Sequence, residues 1–168
     1  NIGDLDVIGN QLTIEAVIYQ TTPNTVYDGD IVAKHTSPLN DNYLLRPNYC
    51  SITTSNGYFE TPAICSLKSN QIYHVAMVYD GNTLKFYRDG YLMSQVNATG
   101  TLFQNNINTR IGFYQLQDYN SQFLGYINEV KIWGIARSQI EIKANMFSSL
   151  PSPTTQTGLL GYYQFDNL

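Results

Sequence analysis

Ile72-Tyr73-His74-Val75-Ala76-Met77-Val78-Tyr79-Asp80-Gly81-Asn82-Thr83-Leu84-Lys85-Phe86-Tyr87-Arg88-Asp89-Gly90 reads as two alternating strands, each closed by an Asp-Gly turn. On the first strand, Tyr73, Val75, Met77 and Tyr79 share one face, while Ile72, His74, Ala76 and Val78 share the other. On the second, Leu84, Phe86 and Arg88 alternate with Lys85, Tyr87 and Asp89. Strand side chains point to opposite faces with period two, so the pattern predicts a pleated sheet rather than a helix. Asp80-Gly81-Asn82 and Asp89-Gly90 supply residues that tolerate the positive φ of tight hairpins.

The alternation recurs on both sides of this hairpin. Leu12, Ile14, Ala16 and Ile18 form the inward face of a first long strand, which Thr21-Thr22-Pro23-Asn24 ends. Residues 31–34, 43–46, 50–54, 58–60, 91–96, 110–114, 123–133 and 158–165 read as further strands. Pro47 and Pro62 mark edges or bulges, and Gly112 and Gly125 mark bends or close backbone approach. The period changes once. Ser138-Gln139-Ile140-Glu141 has capping-box spacing; Ile140, Ala144 and Phe147, with Ile142 and Met146 nearby, predict a short amphipathic helix that Pro151 and Pro153 stop. Many short strands joined by Gly, Asn and Asp turns predict an all-β fold. The architecture expected is a two-sheet antiparallel jelly-roll sandwich with one short helix near the C-terminus, a single domain over residues 1–168.

Composition narrows the function classes. The charged fraction, 13%, is about half the usual quarter, and uncharged polar residues together with 14 tyrosines take its place. Such a surface suits extracellular β modules and neutral contacts with sugars; strand propensity alone explains Tyr and Thr equally well. The net charge of −4 comes with no basic stripe, which argues against nucleic acid as a partner. No apolar run approaches the roughly 20 residues of a membrane span, so membrane insertion is not expected. The chain starts at Asn1 rather than Met, and is expected to be a piece of a larger protein whose secretion signal lies outside it. Cys50 and Cys65 flank the hairpin turn at Asn56-Gly57. A disulfide there would close a loop of about 15 residues and contribute roughly 3 kcal/mol, and is favoured over two free buried thiols. It would place the protein in an oxidising compartment.

With these residues in place, the chain resembles the laminin G-like, concanavalin A-like jelly-roll domains. Leu12-Thr13-Ile14-Glu15-Ala16 looks like their entry strand, and the stretch from Tyr73 to Gly90 like their central hairpin. Phe123 to Trp133 looks like the strand that follows, Ala136 to Ile142 like the short helix, and Gly158 to Asp166 like the closing strand. Gly9-Asn10-Gln11 and Asp28-Gly29-Asp30-Ile31-Val32 resemble copies in large secreted or surface proteins of Bacteroidetes-type bacteria. Val17 and Tyr73 depart from the pattern, standing where many relatives carry Trp. The resemblance implies a secreted or cell-surface binding module, and it allows one structural Ca²⁺.

The same fold hosts retaining glycanases, which need two carboxylates about 5 Å apart. Glutamate occurs only at 15, 60, 129 and 141, and none forms a Glu-x-Asp-x-x-Glu pattern, so no enzyme is expected. His74, between apolar neighbours, reads as a hydrogen-bonded core histidine. For calcium, which takes six to eight oxygens, Asp28, Asp30, Asn40 and Asp41 cluster around one short strand. Asp4, Asp6 and Asp166 near the ends form a second group; turn chemistry is the competing explanation for both. The ligand-binding candidates are Tyr27, Tyr43, Arg46, Asn48, Tyr49, Tyr58, Tyr114 and Tyr119, at loops or strand ends. Their rings would stack on sugars while amides and Arg46 hydrogen-bond, or they cap the core or pack on a neighbouring domain. Asn97-Ala98-Thr99 matches a glycosylation sequon and reads as a polar turn. The expected function is therefore a non-catalytic module for carbohydrate or cell-surface ligand, in adhesion or substrate targeting. The alternative is a structural spacer that contacts neighbouring domains.

Overall fold

The computed structural model describes residues 1–22, 29–35, 42–113, 115–116 and 119–165. In chain order the strands are β1 (Leu12–Gln20), β2 (Val32–Lys34), β3 (Tyr43–Leu45), β4 (Cys50–Thr54), β5 (Gly57–Glu60), β6 (Gln71–Tyr79) and β7 (Thr83–Arg88). They continue with β8 (Tyr91–Asn97), β9 (Arg110–Ile111), β10 (Gln115–Leu116), β11 (Tyr119–Asn120), β12 (Gly125–Trp133) and β13 (Leu159–Gln164). One sheet has the order β13-β12-β1-β6-β7-β8, the other β5-β4-β3-β2-β9, and β10-β11 form a small ribbon. Every strand pairing is antiparallel. The two large sheets pack face to face, as a jelly-roll sandwich requires.

The period-two reading fixes which residues meet between the sheets. Leu12, Ile14, Ala16 and Ile18 of β1, Val75, Met77 and Tyr79 of β6, and Leu84 and Phe86 of β7 are buried from one side. Ile31, Val32, Tyr43, Leu45, Cys50 and Ile52 meet them from the other. Burying each such aliphatic side chain contributes about 1.5–3 kcal/mol, so this layer dominates stability. The hairpin turns follow from local chemistry. Asp89 and Gly90 take φ values of 50° and 73°, the left-handed pair that matches the strand twist. Asp80 receives hydrogen bonds from the Asn82 and Thr83 amides and from Lys85. Partial burial opposes its ionisation, but these bonds outweigh it and hold the Asp80 carboxyl at about 2. Gly125 is indeed a point of close approach, because a Cβ there would lie 2.1 Å from the Tyr19 carbonyl oxygen.

The helix α1 (Gln139–Asn145) starts on the expected capping box of Ser138 and Glu141. Its buried face differs from the one expected. Ile142 is sealed against Ala76, Val78 and Tyr87 on the outer side of the six-stranded sheet, while Ile140 is 81% and Phe147 56% exposed. A helix of two turns presents a single residue row to a flat sheet, and the docking of Arg137 and Gln139 turns Ile142 into that row. Beneath the segment, Arg137 Nη1 donates to Glu15 Oε1 at 2.6 Å, and His74 Nε2 lies 3.2 Å from Glu15 Oε2. Burial pushes the Glu15 carboxyl up; the nearby His74 ring and the Arg137 charge more than offset this and hold it below its ordinary value. His74 is thus the buried core histidine expected from the sequence, with its ring held against Glu15 by proximity rather than by a well-aligned hydrogen bond. Among the described residues no helix is long and apolar enough to cross a membrane.

The expected disulfide is not formed. Cys50 points into the core, where its Sγ faces Thr61 Oγ1 and the Lys85 carbonyl, whereas Cys65 lies exposed on the segment after β5; both thiols are free. The inward phase of β4 carries Cys50 away from the surface on which Cys65 sits, so the hairpin that brings them close in sequence does not join them. The argument for an oxidising compartment built on this pair falls with it. Burial also pushes the Cys50 thiol well above its usual range, which leaves it unreactive. Thiol titration of the native, unreduced protein should therefore register one fast-reacting cysteine, Cys65, and two after denaturation. A protein with no titratable thiol before reduction would contradict this arrangement.

Candidate functional site

The outer face of the five-stranded sheet gathers the polar groups that the core cannot use. Along β2 and β3 the phase places Ala33 and Leu44 outward, where they form a small buried cluster with Tyr49. Arg46 continues this phase at the end of β3. Its Nε donates to Asp30 Oδ1 at 2.6 Å, its Nη1 to Tyr49 Oη at 2.5 Å and its Nη2 to Ser121 Oγ at 3.3 Å. The guanidinium carbon also lies 5.3 Å from the Tyr49 ring centroid, within cation–π range. Ser121 Oγ donates to Asp30 Oδ1 at 2.7 Å, and His35 Nε2 lies 3.1 Å from Asp30 Oδ2. Asp30, Arg46, Tyr49, His35 and Ser121 are all buried. A buried carboxylate is tolerable only when paired and hydrogen-bonded, and this network supplies both conditions for Asp30.

Beside the network runs a cleft of about 410 Å³, at the open side of the sandwich between β9 and the β12–β13 pair. Gly112, Gln122, Phe123, Ile127, Tyr163 and Phe165 line it, with the N-terminal residues Asn1 and Ile2. Gln122 ties the two features together, because it forms a parallel bridge with Asp30 next to Ser121. Gly112 takes φ +79°, with its amide donating to the Ile31 carbonyl and its own carbonyl accepting from Phe123. The cleft offers aromatic faces, a primary amide and exposed backbone, with no charged side chain among its described lining residues.

The sequence candidates distribute unevenly. Asp30, Arg46 and Tyr49 are brought together. Asn48 is buried in the same turn, its carbonyl accepting from the Ile64 amide. Tyr43 is a core residue: its ring is fully buried and its hydroxyl contacts the Leu5 carbonyl and Thr109 Oγ1, both at 2.8 Å. It therefore offers no face to a ligand, because the strand phase that places Leu44 outward turns Tyr43 inward. Tyr58 lies apart on the edge strand β5, where it donates to Glu60. Tyr27, Asp28, Asp41, Tyr114 and Asp166 fall outside the described residues, and Tyr119 is described only as part of β11. Sequence reasoning missed His35 and Ser121. The phase of β2 carries a signal for His35, since Ala33 and His35 share the outward face; nothing local marks Ser121.

Of the expected metal ligands, Asp30, Asp4 and Asp6 are described, whereas Asn40, like Asp28, Asp41 and Asp166, lies outside the described residues. Asp30 is engaged by Arg46, Ser121 and His35, and Asp4 and Asp6 are engaged by Lys34. Among the described residues no cluster of three or more His, Cys, Asp and Glu side chains is placed to hold an ion.

A family model of laminin G type, described as the concanavalin A-like lectin/glucanases superfamily, matches residues 2–143. The chain belongs to this superfamily. Among solved structures, the concanavalin A-like domain is similar to a Bacteroides ovatus protein provisionally described as carbohydrate binding. The two share 21% identity at a TM-score of 0.75, over 98% of this chain and 48% of that one. The domain thus spans about half the length of that relative. It is also similar to domain 4 of AbnA, a GH43 extracellular arabinanase from Geobacillus stearothermophilus, solved with arabinotriose: 15% identity, TM-score 0.61, 82% of this chain and 67% of that one. A third likeness is to the CBM40 of the Ruminococcus gnavus IT-sialidase, bound to α2,3-sialyllactose: 16% identity, TM-score 0.59, 87% of this chain and 97% of that one. At these identities the likenesses speak to fold alone. No curated protein sequence matches the domain.

The Arg46 network generates a direct expectation. Arg46→Ala leaves the buried Asp30 carboxyl without its main partner, and should destabilise the domain by about 3–5 kcal/mol. Arg46→Lys should fall between wild type and Arg46→Ala, because it keeps the charge but loses the planar fork. Chemical denaturation reads both; an Arg46→Ala midpoint equal to wild type would contradict the network's role.

Proposed function

We propose that the domain is a non-catalytic, extracellular carbohydrate-binding module whose ligand enters the cleft beside the Arg46–Asp30 network. One observation carries this reading: the cleft combines aromatic rings from Phe123, Tyr163 and Phe165 with the Gln122 amide, next to a rigid, hydrogen-bonded polar cluster. Sugars bind through stacking on apolar CH faces and through neutral, directional hydrogen bonds, which is the chemistry this lining provides. Its volume lies within the roughly 300–1,000 Å³ of ligand pockets. The ligands bound in two neighbours, arabinotriose and α2,3-sialyllactose, support a glycan rather than another small molecule. The extracellular arabinanase supports a location outside the cell, secreted or at the surface, and a role in adhesion or substrate targeting.

A catalytic role finds no support in the two glutamates of the six-stranded sheet, Glu15 and Glu129. Glu15 is held by Arg137, and Glu129 by Lys131 at 2.7 Å and Tyr162 at 2.5 Å, so neither is poised for acid–base work. A second reading, a spacer or protein-interaction domain, is favoured by one feature: Tyr91, Leu92 and Met93 are exposed in a row on the edge strand β8.

A glycan array probed with the domain separates the two. Binding to a defined glycan class is expected. Gln122→Ala and Phe165→Ala should each weaken it two- to tenfold, as the loss of about 0.5–1.5 kcal/mol per contact implies. Tyr91→Ala on β8 should leave it unchanged. Absence of binding to any glycan would favour the spacer, and equal loss in all three variants would move the site elsewhere.

A further inference from the structure

Lys34, on the three-residue strand β2, is fully buried, although its side chain is long and charged. Its phase points inward, and its ammonium is enclosed by oxygen. Asp4 Oδ1 accepts from it; Asp6 Oδ1 lies 2.9 Å away, the Asn105 carbonyl 3.0 Å and the Ile107 carbonyl 2.8 Å. Two carboxylates and two backbone carbonyls converging on one point make the donor set a hard divalent cation takes. Two further details mark it as a cation position rather than a chance ion pair. The carbonyls of Asn105 and Ile107 come from one turn, shaped by the Asn105 side chain accepting from the Ile107 amide. And one positive charge faces two negative ones, a balance that a divalent ion would complete.

We infer that Lys34 is a tethered replacement for a structural metal ion: its ammonium fills a four-oxygen cation site and locks the N-terminal segment onto the sandwich without a divalent ion. The surrounding bonds show what the lock holds. Ile2 donates to the Thr109 carbonyl, Thr109 to the Gly3 carbonyl, and the Tyr43 hydroxyl to the Leu5 carbonyl. Gln104 reaches the Val7 carbonyl. The segment thus runs along the 102–109 stretch, and the ammonium is the charged centre of that contact. Removing the amine leaves two carboxylates and two carbonyls facing a vacated space. Donors now at hydrogen-bond distance need to close by only a few tenths of an ångström to reach the roughly 2.3–2.6 Å of calcium coordination, with water completing the shell.

The test compares thermal melts of the whole chain in EGTA and in millimolar CaCl₂ for three proteins: wild type, Lys34→Ala, and Lys34→Ala combined with Asp4→Asn and Asp6→Asn. Lys34→Ala should melt several degrees below wild type in EGTA and recover much of that loss in calcium, because an ion that binds only the native state raises its apparent stability. The triple variant should not respond. Any calcium response of wild type itself reports on loop carboxylates elsewhere and is subtracted. If Lys34→Ala is unfolded in EGTA, recovery of its native circular dichroism spectrum on adding calcium supports the inference, and failure to recover contradicts it. A calcium shift in Lys34→Ala no larger than that of wild type, or one that survives in the triple variant, overturns it.

Discussion

The hydrogen-bonded position of β1, between β12 and β6, is the constraint on which the rest of the structure depends. All nine of its residues pair with β6, and the other edge pairs with β12 through a bulge between Val17 and Ile18. With both edges occupied, its faces must serve different purposes. The inward residues Leu12, Ile14, Ala16 and Ile18 are aliphatic and close the core. The outward face carries Thr13 and Glu15, which receive the segment after β12: Thr13 bonds the Ile135 carbonyl and the Arg137 amide, and Glu15 the Arg137 guanidinium. A slip of one residue would exchange the two faces and place Glu15 in the hydrocarbon layer, so the register is strongly specified. The close contact of Gly125 with Tyr19 pins the same register from the β12 side.

This division of labour explains where function is free to develop. The inner faces are committed to burial and the outer face of the six-stranded sheet is largely covered by α1 and its flanks. What remains is the outer face of the five-stranded sheet and the open side next to β9. There the chain places a buried charge network beside the small apolar cluster of Ala33, Leu44 and Tyr49. Such networks often add little to net stability, since desolvation opposes the Coulombic gain, but they fix geometry. For a glycan site the geometry is the point, because sugars are discriminated by the direction of hydrogen bonds as much as by contact area.

The sheet architecture was legible in the sequence because strand phase is a local property: Val75, Met77 and Tyr79 reveal their face without knowledge of any partner. The capping box was legible for the same reason, as Ser138 and Glu141 act within one turn. What failed depended on distant partners. The face of α1 is decided by Arg137 and Gln139 docking on residues far away in sequence. Cys50 and Cys65 are separated by an inward strand phase that their spacing hides. Tyr43 counts among the ligand candidates as an aromatic at a strand end, although its own strand phase, next to Leu44, turns it inward. For the candidate site, Asp30, Arg46 and Tyr49 were legible as polar or aromatic residues at strand ends. Ser121 was not, because its place beside Asp30 comes from a pairing across 91 residues. The oxygen cage around Lys34 was half legible: Asp4 and Asp6 suggested a cation, and only the fold shows which cation the chain supplies.

The central claim, that ligand binds beside the Arg46–Asp30 network and not on the opposite sheet, is tested most directly by mapping amide chemical shifts as an array-identified glycan is titrated into isotopically labelled protein. Shift changes should concentrate at Asp30, the 46–49 turn, Gly112 and the 121–127 segment, with β7, β8 and α1 silent. Changes confined to β8 or to the α1 face would contradict the account.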